Sequence, residues 1–175
     1  MNFISFLLAG YVFFGQPFVS PIAKGGDIGG QIDKTDLRVC CEKIIRDGPH
    51  IWFLSDRNGK MKLQVRGIYI HGSALFFLLR LTNRSSGDYS IDEIRFRAVD
   101  KDGGQIAGRA PLEPVFVYDS TKMVPAFGKT TGIFVFPRFT MPAGGRLWID
   151  VRESNGSRHL HIPVGNWMLA RARLI

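Results

Sequence analysis

His159 and His161 stand two residues apart near the end of the chain. On a strand this spacing puts both imidazoles on one side about 7 Å apart, the start of a divalent metal site if a third ligand such as His71 or Asp150 joins them. A metal-dependent hydrolase would follow from that. The plainer reading of two such histidines is polar surface, and no metal is assigned to them. Cys40 and Cys41 are the chain's two cysteines. Adjacent Cα atoms about 3.8 Å apart are too close for an ordinary disulfide, so a stapled secreted mini-domain is excluded and the pair reads as core thiols. No Gly-x-Ser-x-Gly elbow sets up a serine nucleophile. The glycines at 25, 26, 29 and 30 lack the lysine, preceding strand and following helix of a phosphate cradle. No catalytic residue and no cofactor is therefore assigned, and the chain reads as a non-enzyme.

The residues left over suit contact. Tyr89, Arg95, Arg97, Trp148, Arg158, His159 and His161 form a candidate partner-contact surface, since Arg and aromatic side chains are the types that anchor protein interfaces. Arg84, Arg109, Arg138, Arg171 and Arg173 extend the basic set. A net charge of +8 and a pI near 9.9 favour an anionic partner. The cations are spread along the chain and often alternate with apolar residues, which argues against direct nucleic-acid binding. Nothing points to a small-molecule substrate.

These side chains need a scaffold, and 175 residues suffice for one domain with a leading segment. Residues 1–23 carry no acidic or basic side chain and are strongly apolar from Phe3 to Phe14. They read as a signal peptide, cleaved near Ser20 to Ala23, or as the remnant of an upstream domain. Residues 24–33 are a glycine-rich linker. The domain then occupies 34–175. One helix is expected through Leu37, Val39, Cys40, Ile44 and Ile45, capped by Thr35 or Asp36, stopped at Gly48-Pro49 and covering a sheet.

From Ile51 onward the period becomes two. Strands are expected at 51–54, 61–70, 74–81, 89–99, 115–118, 128–137, 146–151 and 158–164, with 105–110 continuing the fourth. A turn is expected at Asp56 to Gly59. The slip from Val65 to Ile68 implies a bulge at Gly67. Leu75, Phe77, Leu79 and Leu81 share one face and Phe76 and Leu78 the other, the pattern of a central strand covered twice. The expected fold class is mainly β: an antiparallel immunoglobulin-like β-sandwich with one short N-terminal helix. Asn83-Arg84-Ser85 and Asn155-Gly156-Ser157 read as exposed turns.

The stretches GIYIHGSALFFLLRLTNRSSGDYSIDEIRFRAVDKD from Gly67, LEPVFVYDS from Leu112, GIFVFPRFTMP from Gly132 and LWIDVRESNGSRHLHIPV from Leu147 resemble, in sequence and order, the TraN family of conjugative-transposon proteins. The resemblance is best over residues 60–165. It implies a structural subunit of a type IV secretion apparatus for DNA transfer, exported to the periplasm, in the vicinity of the outer membrane and packed against other conjugative-transfer subunits. A cell-envelope adhesin or carbohydrate-binding module, using Trp52, Trp148 or Trp167, is the alternative.

Overall fold

The computed structural model describes residues 33–100, 111–141 and 143–175. The apolar leader, the glycine linker up to Ile32, the turn after Asp100, the extension at 105–110 and Arg109 lie outside the described residues. The chain opens with helix α1, Lys34–Asp47. Asp33 caps it, its side chain accepting the Thr35 N–H at 3.1 Å, so the cap falls ahead of the expected Thr35 or Asp36. Gly48, at φ +75°, ends the helix and returns its N–H to the Ile44 carbonyl. Leu37, Cys41 and Ile44, at positions i, i+4 and i+7, form its buried stripe.

Residues Ile51 to Leu54 do not form the expected strand. The N–H groups of His50 and Ile51 both reach the Arg66 carbonyl, and Leu54 accepts from Val65, so the segment is spent on an irregular stretch of its neighbour. The first strand is instead β1, Ser55–Asn58, followed by β2, Met61–His71. Asn58 pairs with Met61, which narrows the turn to Gly59 and Lys60 with Gly59 at φ +57°. The expected bulge is present: the β2 register shifts between Val65 and Gly67, leaving Arg66 as the extra residue. A Cβ on Gly67 would lie 2.4 Å from the Tyr69 ring, so glycine there is required by close approach.

The chain continues as β3 (Ala74–Asn83), β4 (Tyr89–Val99), β5 (Phe116–Tyr118), β6 (Met123–Val124), β7 (Lys129–Pro137), β8 (Arg146–Glu153), β9 (Leu160–Gly165), a second short helix α2 (Asn166–Ala170) and β10 (Arg173–Leu174). The two-residue strands and α2 are too short to leave a periodic trace in the sequence. One sheet runs β1, β2, β3, β7, β5, with β10 on the far half of β2; the other runs β6, β4, β8, β9. Pairing is antiparallel except for β10, which runs parallel to β2.

The two sheets meet through Leu75, Phe77, Leu79 and Leu81 of β3, Phe134 and Phe136 of β7, Phe96 and Ala98 of β4 and the inward residues of β8 and β9. Phe96 is the hub, with ring centroids 5.3 Å from Phe134, 4.6 Å from Phe136 and 5.7 Å from Phe77. The alternate residues Phe76, Leu78, Ile133 and Val135 pack with Tyr69 against α1. β3 is therefore covered on both sides, as its sequence required. Burying a phenylalanine or leucine in such a layer contributes roughly 1.5–3 kcal/mol each.

Strand β9 is paired on one edge by β8 alone. Along its other edge the Asn58 amide donates to the His159 carbonyl at 3.0 Å, and the Asp56 carboxylate accepts the His161 N–H at 2.9 Å. Side chains of β1 thus meet the backbone of the opposite sheet.

Candidate functional site

Strands β4, β8 and β9 send every other side chain into the core and the rest outward. Register decides which of the outward ones meet. Arg95 pairs with Asp150, which pairs with His161; Arg97 pairs with Trp148, which pairs with Pro163. Residues opposed across strands share a face, so two rows of basic, acidic and aromatic groups lie side by side. A bulge at Ile91 to Glu93 adds Glu93 opposite Arg152 as a third row.

The charges on this face are matched. Arg97 holds Asp150 at 2.8 Å, Arg95 holds Glu93 at 2.7 Å, and Arg152 reaches Asp92 at 3.1 Å and Glu93 at 3.3 Å. The Trp148 and His161 rings lie 5.6 Å apart and inclined by 35°. The Glu93 hydrogen bond raises the Arg95 pKa above its ordinary value, keeping it fully charged. Glu93, Arg95, Arg97, Asp150, Arg152, His159 and His161 line a shallow depression of about 250 Å³, and Trp148 lies outside it beside His161.

Of the seven candidate contact residues, Arg95, Arg97, Trp148, His159 and His161 come together here. Tyr89 does not. It is fully buried, and its hydroxyl donates to the Arg158 carbonyl at 2.9 Å. Arg158 is drawn in beside it, its guanidinium 5.0 Å from the Tyr89 ring centroid and ion-paired with Glu153. Hydrogen bonds from Arg158 hold the Glu153 carboxyl below the usual range, while burial pushes the Tyr89 phenol up to about 12. This is an internal clamp, and Tyr89 leaves the contact set.

Asn83 also corrects its reading as part of an exposed turn: it is 1% exposed. Its amide donates to the Gly87 and Val124 carbonyls, and its oxygen accepts the Ser85 N–H. The third ligands considered for His159 and His161 are engaged elsewhere, His71 with the Ile175 carbonyl and Asp150 with Arg97. No group of three or more His, Cys, Asp or Glu side chains able to hold a metal is assembled among the described residues. The groups that sequence reasoning missed are Glu93, Asp150 and Arg152 as ion-pair partners. The uneven step from Ile91 to Ile94 was the signal that a bulge would bring Glu93 into place.

The fold and its surfaces define a small mainly β domain of two packed antiparallel sheets, with a helix over the outer face of one sheet and a polar, ion-paired outer face on the other. Residues 38–174 match the family model described as Domain of unknown function (DUF4138), and the chain belongs to that family. No curated protein matches the chain. The match runs from α1 almost to the C-terminal residue and overturns the TraN resemblance: the family found over these residues is DUF4138, whose function is unknown.

Proposed function

We propose that this domain is a non-catalytic assembly module, an immunoglobulin-like sandwich of the cell envelope that works by protein–protein contact through the outer face of β4, β8 and β9. One observation carries the reading: α1 covers the apolar half of the outer face of the β3 sheet around Phe76, Leu78 and Ile133, whereas the β4, β8, β9 face presents Arg95, Arg97, Trp148 and His161 in register with no element of the described chain over them. Arginine and tryptophan at the centre of a patch are the residue types that anchor interfaces. The envelope location draws on the apolar, charge-free run of residues 3–14. No helix of the described residues is long and apolar enough to cross a membrane.

Carbohydrate binding is the weaker reading. Each tryptophan already has a protein group against it: Arg66 over Trp52 at 4.3 Å, Arg171 over Trp167 at 5.7 Å, and His161 beside Trp148. The test is a photo-crosslinking amino acid placed at Arg95 and, separately, at Lys43 on the exposed side of α1, in the cells that make the protein. A discrete protein adduct from position 95 that disappears with Trp148→Ala supports the module. Adducts that ignore Trp148, or none at position 95, refute it.

A further inference from the structure

The uncovered half of the other sheet carries a different kind of surface. Arg57 pairs with Lys62, Lys62 with Thr82, and Thr82 with Lys129, giving one row across β1, β2, β3 and β7. Ser55, Gln64, Arg80 and Thr131 form the next row by the same pairings. Their strand neighbours Leu63, Leu79 and Leu81 point into the core, so these eight side chains point away from it. Four strands set the row at about 14 Å wide. Arg66, the bulged residue, adjoins them and is 8% exposed, its guanidinium beneath Trp52.

Five cations therefore gather here: Arg57, Lys62, Arg66, Arg80 and Lys129. The eight paired positions hold no carboxylate. On the opposite sheet Arg95, Arg97, Arg152 and Arg158 each have an acidic partner, but none of these five has an ion pair among the described residues. The Nε atoms of Arg66 and Arg80 are buried and lack any hydrogen-bond acceptor. Burial, and then the charge of Arg80, hold the Arg66 pKa below its ordinary value. Like charges left close together and undersatisfied cost stability in the free protein, a cost that an anionic partner offsets.

We infer that this face, formed by Arg57, Lys62, Arg66, Arg80 and Lys129, is a second docking surface, and that its partner is a protein presenting a cluster of carboxylates. The shape of the face selects among anions. A single-stranded nucleic acid needs aromatic rings on which successive bases stack, and the eight row positions hold none; Trp52 stands at the rim with Arg66 against it. A flat bilayer is excluded by α1, which stands on the same side of the sheet over Phe76, Leu78 and Ile133 and rises about 10 Å above it. A folded acidic surface fits a polar floor of Thr, Ser and Gln hydrogen-bonding groups beside a helical wall.

The surface goes beyond the β4, β8, β9 face and is tested separately from it. Binding of fluorescent poly-L-glutamate is measured by anisotropy against a single-stranded oligonucleotide of equal charge and against vesicles containing phosphatidylglycerol. The variant Arg57→Glu/Lys129→Glu changes two exposed side chains, and Lys122→Glu/Arg138→Glu changes net charge equally elsewhere; circular dichroism checks that both fold. The expected result is preference for poly-L-glutamate and a loss of about ten-fold or more in the first variant, with less than about three-fold in the second. Equal losses in the two variants, or tighter binding of the oligonucleotide or vesicles, overturn the inference. Crosslinking from position 95 should be unchanged in the first variant, so the two faces stand or fall independently.

Discussion

The Tyr89 hydroxyl donates to the carbonyl of Arg158, 69 residues further along the chain, while the guanidinium of the same arginine lies over the tyrosine ring. The contact ties the start of β4 to the turn between β8 and β9. Tyr89→Phe keeps the ring and removes the donor, leaving a carbonyl without its partner, and should cost about 1–2 kcal/mol. Arg158→Ala also strands Glu153 and should cost more. Urea unfolding of Tyr89→Leu, Arg158→Ala and their double variant, each of which removes the contact of guanidinium and ring, should show a coupling of at least about 0.5 kcal/mol. Strict additivity would show that the clamp is not a unit.

Gly67→Ala tests the bulge. The added methyl falls against the Tyr69 ring, whose hydroxyl is fixed to the Gly48 carbonyl at 2.7 Å and so cannot swing away freely. Overpacking of this kind costs about 1–3 kcal/mol. A melting temperature equal to the parent would mean that the ring is looser than its hydrogen bond implies.

Acid should weaken the fold in two stages. Burial, and then Arg173, lower the His50 pKa below 6.5, so the folded state binds fewer protons than the unfolded chain and stability falls as pH drops through and below 6.5. Hydrogen bonding to Arg158 lowers the Glu153 pKa below 4.5, so its contribution, complete above that value, is lost as pH falls through the lowered pKa. Thermal melts from pH 8 to pH 3 should show His50→Phe flattening the upper stage and Glu153→Gln the lower. A parent curve that is level from pH 7 to pH 5 would contradict the first assignment.

Thiol chemistry should separate the neighbouring cysteines. Burial pushes the Cys41 thiol up to about 12 and raises Cys40 as well, but Cys41 is fully buried on the face of α1 that packs against the sheet, whereas Cys40 is partly exposed. Iodoacetamide at pH 8 should modify Cys40 first, with Cys41 reacting only as α1 lifts from the sheet. Peptide mass mapping over time checks the order, and equal rates would refute it.

The parts of this fold that the sequence revealed are those written in local alternation. Leu75 to Leu81 announced a strand covered on both faces, and the slip at Gly67 announced a bulge. Tyr89 was legible too, for it shares inward parity with Ile91, yet its aromatic ring was read as surface. What remained hidden depended on register. Lys62, Arg80 and Lys129 lie on three strands and looked scattered along the chain; alternation with apolar neighbours is how a sheet gathers cations onto one face. β10 as the parallel neighbour of β2 was likewise settled by tertiary packing, whereas the Asp33 cap rests on a local bond from the Thr35 N–H.

The two side chains of β1 that meet the edge of β9 have a consequence for the molecule as a building unit. A sheet whose last strand is finished by another strand offers a fresh edge, and lateral growth into fibres can continue from it. Asn58 occupies an acceptor of that edge and Asp56 a donor, each with its side chain rather than its backbone. Growth of the smaller sheet past β9 is therefore blocked at this seam by side chains.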